Sequence, residues 1–304
     1  MSETVSGILI FHKGEGLTSQ SAVSRVRRLF GGVKAGHTGT LDPLATGVLP
    51  ILLGRAVKAS EYLLESGKHY RATLRLGLTT DTEDVTGAVL TRADSIPSKE
   101  AVFATLDAFR GEILQTPPMY SALKVGGKKL VDLARKGETV ERQARKITVY
   151  SLSAERVSDT DYILDVHCSK GTYIRTLCAD IGASLGCGGI MASLCRTEAA
   201  GFALSEAYTL EALEAMEPSA RAGILLPTEY IFRDLPRVTL SPFFARLAVN
   251  GVEIYLKKIG LDLPIGTRVR LFDEGGFFAL GEVREFENGQ AIKPIKQLRQ
   301  GGAL

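Results

Sequence analysis

Apolar residues along this 304-residue chain fall into short unbroken runs, stretches at helical spacing and stretches that alternate. Gly7–His12 carries the run Ile8-Leu9-Ile10-Phe11 and predicts a buried strand. Thr18 or Ser19 then caps a helix in which Ala22, Val23, Val26, Leu29 and Phe30 recur at helical spacing, ended by Gly31-Gly32 and Gly36. Val48–Leu53 is wholly apolar and reads as a second buried strand, against which Pro50 counts. A helix through Tyr62 and Leu63 follows. From His69 to Leu78 the period changes to two, with Tyr70, Ala72, Leu74 and Leu76 on one side. After the polar loop "TTDTEDVTG" come a strand and a helix around Ala101–Phe109. "RKITVYSLSAERV" and "DYILDVHCSK" predict an antiparallel pair joined at Ser158-Asp159-Thr160, followed by a helix from Thr172 to Leu185.

Composition shifts near Leu235-Pro236. Beyond it, turns at Asn250-Gly251, Asp273–Gly276 and Asn288-Gly289 separate short strands and suggest a small all-β unit. The expectation is an α+β chain: a mixed, largely antiparallel central sheet flanked by helices over residues 1–234, and a β-rich domain over 235–304.

Charge changes this picture locally. The net charge is +3, but residues 124–146 hold Lys124, Lys128, Lys129, Arg135, Lys136, Arg142, Arg145 and Lys146 against Asp132, Glu138 and Glu141, a net of +5. Arg25, Arg27, Arg28 and Lys34 form a second basic group. Both are either solvated faces or a polyanion footprint. The four cysteines form no C-x-x-C pair, and the four histidines stand singly. These spacings point to reduced thiols in the cytoplasm and away from a structural metal. "KVGGKKL" lacks the first glycine and the Lys-Ser/Thr ending of a phosphate loop, and no dinucleotide fingerprint is present. No cofactor is expected. No apolar run reaches the ~20 residues of a membrane-spanning helix, so no membrane partner is expected either.

Four blocks carry the chemistry. "GHTGTLDPLATGVLPILLG" places a lone carboxylate, Asp42, ahead of an uncharged run. "KHYRATLRLGLTTDTEDVTG" contains Tyr70, "PPMYSALKVGGKKLVDLARKG" opens the basic segment, and "HCSKGTYIRTL" contains Tyr173 and Arg175. In this order, over residues 6–202, they resemble the TruB family of tRNA pseudouridine synthases. The tail, through "VNGVEIYL" and "GTRVRLFDEGGFFALGEVRE", more faintly resembles a PUA-type RNA-binding domain.

The resemblance implies the pseudouridine synthase fold and cofactor-free isomerisation of the T-loop uridine, position 55 of tRNA, by a cytoplasmic monomer that recognises the T-arm. It implies that Asp42, in a complete Gly-His-x-Gly-x-Leu-Asp-Pro-x-Ala-x-Gly frame, is the essential aspartate. Tyr70 is then the aromatic that stacks on the target base, Arg175 the partner of the aspartate and Tyr173 its neighbour. His37 takes part in extruding the uridine, and Leu194 lines the pocket. RNA contacts are expected from Lys13, Lys124, Lys128, Lys129 and Arg135, within a basic segment of about residues 118–150. The chain departs from the family pattern at Gly14, where proline is common, at Val131 and at Ile190.

Such a reaction breaks an N-glycosidic bond and rejoins the base through carbon. One carboxylate can serve as nucleophile or base, a buried uridine must be flipped out, and an aromatic platform must receive it. Each residue also has a structural alternative. Asp-Pro is common turn chemistry, Tyr70 fits a core position, and Arg175 fits a surface ion pair. Two other functions compete. One is an RNA-binding or RNA-folding protein on the same scaffold without the reaction, although RNA folding and catalysis can coexist. The other is a hydrolase suggested by Asp84-Val85-Thr86-Gly87, which lacks the second carboxylate motif of an aspartic dyad.

Overall fold

The computed structural model describes residues 5–64 and 66–299. Among them, nine strands form the main sheet. Seven make a continuous ladder: β1 (Gly7–Lys13), β2 (Thr46–Leu53), β3 (Lys68–Leu76), β4 (Gly111–Gln115), β5 (Arg145–Arg156), β6 (Asp161–Cys168) and β7 (Gly189–Ala199). Their spatial order is β1-β2-β7-β3-β6-β5-β4, so β7 lies between β2 and β3. Neighbours are antiparallel except β7 and β2, which run parallel through Cys195↔Thr46 and Arg196↔Gly47. Two short strands, Ala35–His37 and Phe202–Ala203, extend β2 and β7.

The two sequence patterns have different physical causes. β1 and β2 are covered on both faces, and a strand buried twice over reads as a continuous apolar run. Leu9, Phe11, Leu49 and Ile51 face the main core, while Ile8, Ile10, Val48 and Leu52 pack with Phe202 and Leu63 on the other side. β3 is covered on one face, so it alternates: Tyr70, Ala72, Leu74 and Leu76 point inward. Pro50 is tolerated because of the side it faces. Its carbonyl accepts the Thr38 N–H at 3.2 Å, so its missing donor also points away from β1, and the short strand on that side pairs only from Ile51 onward. No bond of the β1 ladder is lost.

Helix α1 (Ser19–Leu29) begins at Thr18, whose hydroxyl accepts the Ser21 N–H at 3.0 Å. It buries Ala22, Val23 and Val26 against the sheet. Helix α2 (Lys99–Leu106) is capped in the same way by Ser98. Helix α3 (Ile174–Ser184) lies on β7 and buries Ile174, Leu177, Cys178 and Ile181.

The tail forms its own sheet from β8 (Arg237–Thr239), β9 (Ile254–Tyr255), β10 (Arg268–Asp273), β11 (Gly276–Phe286) and β12 (Gly289–Gln297), in the order β8-β10-β11-β12-β9. It encloses a separate core around Val238, Leu271, Phe278, Val283 and Ile292. It is β-rich but not all-β. Residues Pro242–Val249 form helix α4, and Asn250-Gly251 ends this helix instead of joining two strands. Pro242 pre-sets the first turn after Ser241, and Ala245 and Ala248 fall at helical spacing toward the core. The other two turns connect β10 to β11 and β11 to β12 as expected. A small cluster of Ala59, Phe232, Leu280 and Leu298 packs body against tail, beside a Lys296–Glu61 ion pair of 2.7 Å. All four cysteines are free thiols. Among the described residues, no helix is long and apolar enough to cross a membrane.

Candidate active site

Asp42 sits in the loop that feeds β2, and both of its neighbours are tethered. The Ser19 hydroxyl, at the start of α1, donates to the Leu41 carbonyl (3.0 Å) and accepts the Leu41 N–H (2.8 Å). The Lys13 ammonium, at the end of β1, donates to the carbonyls of Gly14 (2.9 Å), Leu17 (2.8 Å) and Pro43 (3.3 Å). Asp42 does make a turn, but through its main chain, since its carbonyl accepts the Ala45 N–H at 3.0 Å. The carboxylate is left for other use. Lys13 therefore corrects an expectation: it is fully buried, and three carbonyls hold its ammonium inside. It braces the aspartate loop and presents nothing to RNA. Burial lowers its pKa to about 8, with the Asp42 charge opposing that shift.

Gly47 closes this loop under a tight constraint. Its φ of +107° suits glycine, and a Cβ there would stand 2.2 Å from the Arg196 carbonyl oxygen on β7. The parallel contact of β2 with β7 exists because this residue has no side chain.

Arg175 is the second residue of α3 and reaches Asp42 from that helix. Its Nε lies 2.9 Å from Asp42 Oδ2. Nη1 donates to the Thr82 carbonyl (3.0 Å) and Nη2 to the Tyr120 carbonyl (2.7 Å). Asp84 Oδ2 stands 3.8 Å from the same Nε. Asp84 is itself fixed by Thr82 and Thr86, whose hydroxyls donate to its Oδ1 at 2.8 and 2.5 Å. Besides Asp42, the guanidinium is thus held by two main-chain carbonyls and faces a second carboxylate. Its side chain is 5% exposed and that of Asp42 37%. The cation is buried and the carboxylate faces open space.

That space is a cavity of about 330 Å³, and its wall includes Asp42, Tyr70, Tyr173, Arg175, Leu194 and Arg196. Tyr70 is almost fully buried on the inward side of β3. Burial raises its pKa, against the pull of the neighbouring Arg196 guanidinium. Tyr173 precedes α3, and the buried Gln115 side chain fixes its main chain by accepting the Tyr173 N–H (2.8 Å) and donating to its carbonyl (3.0 Å). Burial raises the Tyr173 pKa also. His37 is not brought to the cavity wall. It ends the short strand paired with β2, half-buried, where desolvation and the Arg196 charge lower its pKa.

Sequence reasoning missed Arg196 and Gln115, and gave Ser19 and Asp84 other roles, a helix cap and a hydrolase-like motif. Arg196 is fully buried, with Nε on the Val48 carbonyl (2.7 Å) and Nη2 on that of Gly39 (3.1 Å). Its inward register with Leu194 was the available signal, because a charge on the buried side of a strand needs a reason. Gln115 and Ser19 act across long sequence separations and leave no local pattern.

The basic segment starts at the cavity rim. Ala122 and Leu123 line the cavity, and the chain then forms a hairpin, Lys124–Val125 with Lys128–Lys129. Gly126 and Gly127, at φ +57° and +82°, make the turn. Lys124, Lys128, Lys129 and Arg135 are exposed. Arg142 turns inward to the Pro117 carbonyl (3.0 Å), and Lys146 pairs with Glu112 (2.7 Å). Of the departures, a side chain would find open space at Gly14, Val131 is half-buried and Ile190 is core.

Family profiles place the chain. That of the TruB family pseudouridylate synthase N-terminal domain matches residues 27–174, and that of the tRNA pseudouridylate synthase B C-terminal domain matches residues 175–233. The chain belongs to the TruB family. It is therefore an isomerase of the uridine-to-pseudouridine type. The tRNA pseudouridine synthase B of Aromatoleum aromaticum is 46% identical over 280 residues, covering 91% of this chain and 89% of the relative. That of Alkaliphilus oremlandii is 43% identical over 297 residues, covering 97% and 98%. A solved Cbf5-Nop10-Gar1 complex matches with a TM-score of 0.68 at 26% identity, over 96% of this chain and 85% of the solved one. An H/ACA RNP bound to a substrate RNA containing 2'-deoxyuridine shares the fold, with a TM-score of 0.69 at 22% identity over 97% and 85%. The cavity draws on both family segments: Asp42, Tyr70 and Tyr173 come from the first, Arg175 and Leu194 from the second.

Proposed function

We propose that this enzyme converts the T-loop uridine of tRNA, position 55, to pseudouridine, without a cofactor and with Asp42 as the essential carboxylate. One observation carries the reading: a carboxylate open to a cavity, held at 2.9 Å by a buried guanidinium that has its own anchors. A solvated turn residue would not need this support.

The isomerisation breaks the bond from N1 to C1′, turns the base and joins C1′ to C5. C5 gives up its proton and N1 gains one, so the atoms balance without redox chemistry. Asp42 supplies the anion, as nucleophile at the sugar or base, or as the base that takes the C5 proton. Arg175 fixes its orientation. The flipped uridine stacks on Tyr70, with Leu194 and Tyr173 completing the pocket, and His37 acts on the RNA side to fill the vacated stack. Lys124, Lys128, Lys129 and Arg135 meet phosphates of the T-arm. The body, residues 1–234, is the catalytic domain. The tail, 235–304, is a PUA-like domain that adds RNA contacts. The enzyme works as a monomer in the cytoplasm, and RNA folding accompanies catalysis. The names of the relatives support the tRNA substrate. The test is direct: incubate purified protein with unmodified tRNA transcript and map pseudouridine by nucleotide. Modification absent, or spread over other uridines, would overturn the assignment.

A further inference from the structure

Glu83 concentrates two unfavourable features in the loop that backs Arg175. It is one of two non-glycine residues with left-handed backbone among the described residues, at φ +63°, a region that disfavours any side chain. It also crowds a second acid. Asp180 follows Thr176 by one turn of α3, and burial together with the Glu83 charge raises its pKa to about 6. Burial raises Glu83 too, opposed by the Thr176 hydroxyl and by the Arg175 and Arg142 charges, and reinforced by Asp84. Such a residue persists where its surroundings over-determine it.

Those surroundings are specific. The Thr176 hydroxyl, next in sequence to Arg175, donates to Glu83 Oε2 at 2.7 Å. The Met191 N–H of β7 donates to the Glu83 carbonyl at 3.0 Å, and the Val85 N–H returns to the Met191 carbonyl at 3.1 Å. Glu83 thereby bolts its loop to α3 through the side chain and to β7 through the main chain. The residues on either side are the ones that meet the guanidinium: Thr82, whose carbonyl takes Nη1 (3.0 Å), and Asp84, whose carboxylate lies 3.8 Å from Nε.

We propose that Glu83 is a positioning residue for the reaction: its bond to Thr176 and its left-handed backbone set the Thr82 carbonyl and Asp84 around Arg175, and so aim Nε at Asp42. This rests on the roles given above to Asp42 and Arg175. Glu83 touches neither the cavity nor the substrate and acts through the guanidinium alone.

The experiment measures single-turnover pseudouridine formation on tRNA transcript across RNA concentration, for Glu83→Ala, Glu83→Gly, Glu83→Gln and Thr176→Val, with Arg175→Ala in parallel. Glu83→Gly relieves the backbone, and Thr176→Val removes the bond from the other side. The maximal rate should fall about tenfold or more in Glu83→Ala, Glu83→Gly and Thr176→Val, with half-saturation by tRNA within about twofold. Glu83→Gln keeps the acceptor and should recover the rate to within about threefold. Full rate in Glu83→Gly or Thr176→Val overturns the proposal. So does a Glu83→Gln variant as slow as Glu83→Ala, or a loss of tRNA affinity and thermal stability that matches the loss of rate. Should Glu83→Ala fail to fold, Thr176→Val decides alone. An active Arg175→Ala would overturn the underlying reading, whereas an inactive one beside full-rate Glu83 variants overturns only this inference.

Discussion

Asp42→Asn separates chemistry from structure, because the geometry predicts different sizes for the two effects. Removing one partner from a fully buried ion pair costs about 3–5 kcal/mol. Here the carboxylate is 37% exposed, so solvent already screens it. The guanidinium also keeps Asp84 at 3.8 Å and the carbonyls of Thr82 and Tyr120. The amide keeps the volume, and the turn bond from Ala45 uses the main chain. The structural cost reduces to one weakened charge-assisted bond, about 1–2 kcal/mol, or roughly 2–6 °C in melting temperature. Affinity for tRNA should stay within about tenfold, ~1.4 kcal/mol. Pseudouridine should be undetectable, a loss beyond about 10⁴-fold, or more than ~5 kcal/mol of transition-state stabilisation. Thermal melting, filter binding and nucleotide-resolved mapping on one preparation measure all three. Turnover within tenfold of the parent enzyme would return Asp42 to turn duty and refute the reasoning.

Three further outcomes follow from other parts of the molecule. Replacing Lys128 and Lys129 together by Ala should weaken tRNA binding and lower the slope of log affinity against log salt by up to about 0.9 per lost phosphate contact; an unchanged slope in a salt titration would take the hairpin off the RNA face. Gly47→Ala should destabilise the fold by more than about 3 kcal/mol in a denaturant melt, because the new Cβ meets the Arg196 backbone at 2.2 Å. Asp180 has a folded pKa raised from 3.8 to about 6, so its contribution is fully present below pH 3.8 and is lost as pH rises through 6. Asp180→Asn should accordingly be more stable than the parent at pH 7, by on the order of 1 kcal/mol after screening, with the gain gone near pH 4 in melts across that range.

Local chemistry was legible, and reach was not. The period of two in β3 placed Tyr70 inward, and Thr18 capped its helix, because both signals operate within a few residues. Pro50 counted against the Val48–Leu53 strand through a general rule about central strands, and the direction of its missing donor, invisible in sequence, removes that objection. Lys13 was expected to contact RNA; two carbonyls from the segment that follows it and one from Pro43 hold its ammonium inside. Helix α4 was taken for strand because Asn-Gly is also a hairpin signal. The pairing of Asp42 with Arg175 came from resemblance, while Gln115, Ser19 and Arg196, which hold the pair's surroundings, belong to contacts dozens of residues apart.

The place of β7 between β2 and β3 bears on how the chain is made. A ribosome releases β2 and β3 more than a hundred residues before it releases β7, and neither early strand can pair with the other in its final register. The slot between them stays open, lined by unpaired main-chain groups and apolar side chains, until Gly189–Ala199 emerges. Arg175 also arrives late, so a nascent chain carries its aspartate through about 130 residues of synthesis without the cation that orients it. The enzyme becomes active in one late step. A chain cut short before residue 189 would be both inert and sticky, a substrate for chaperones and proteases.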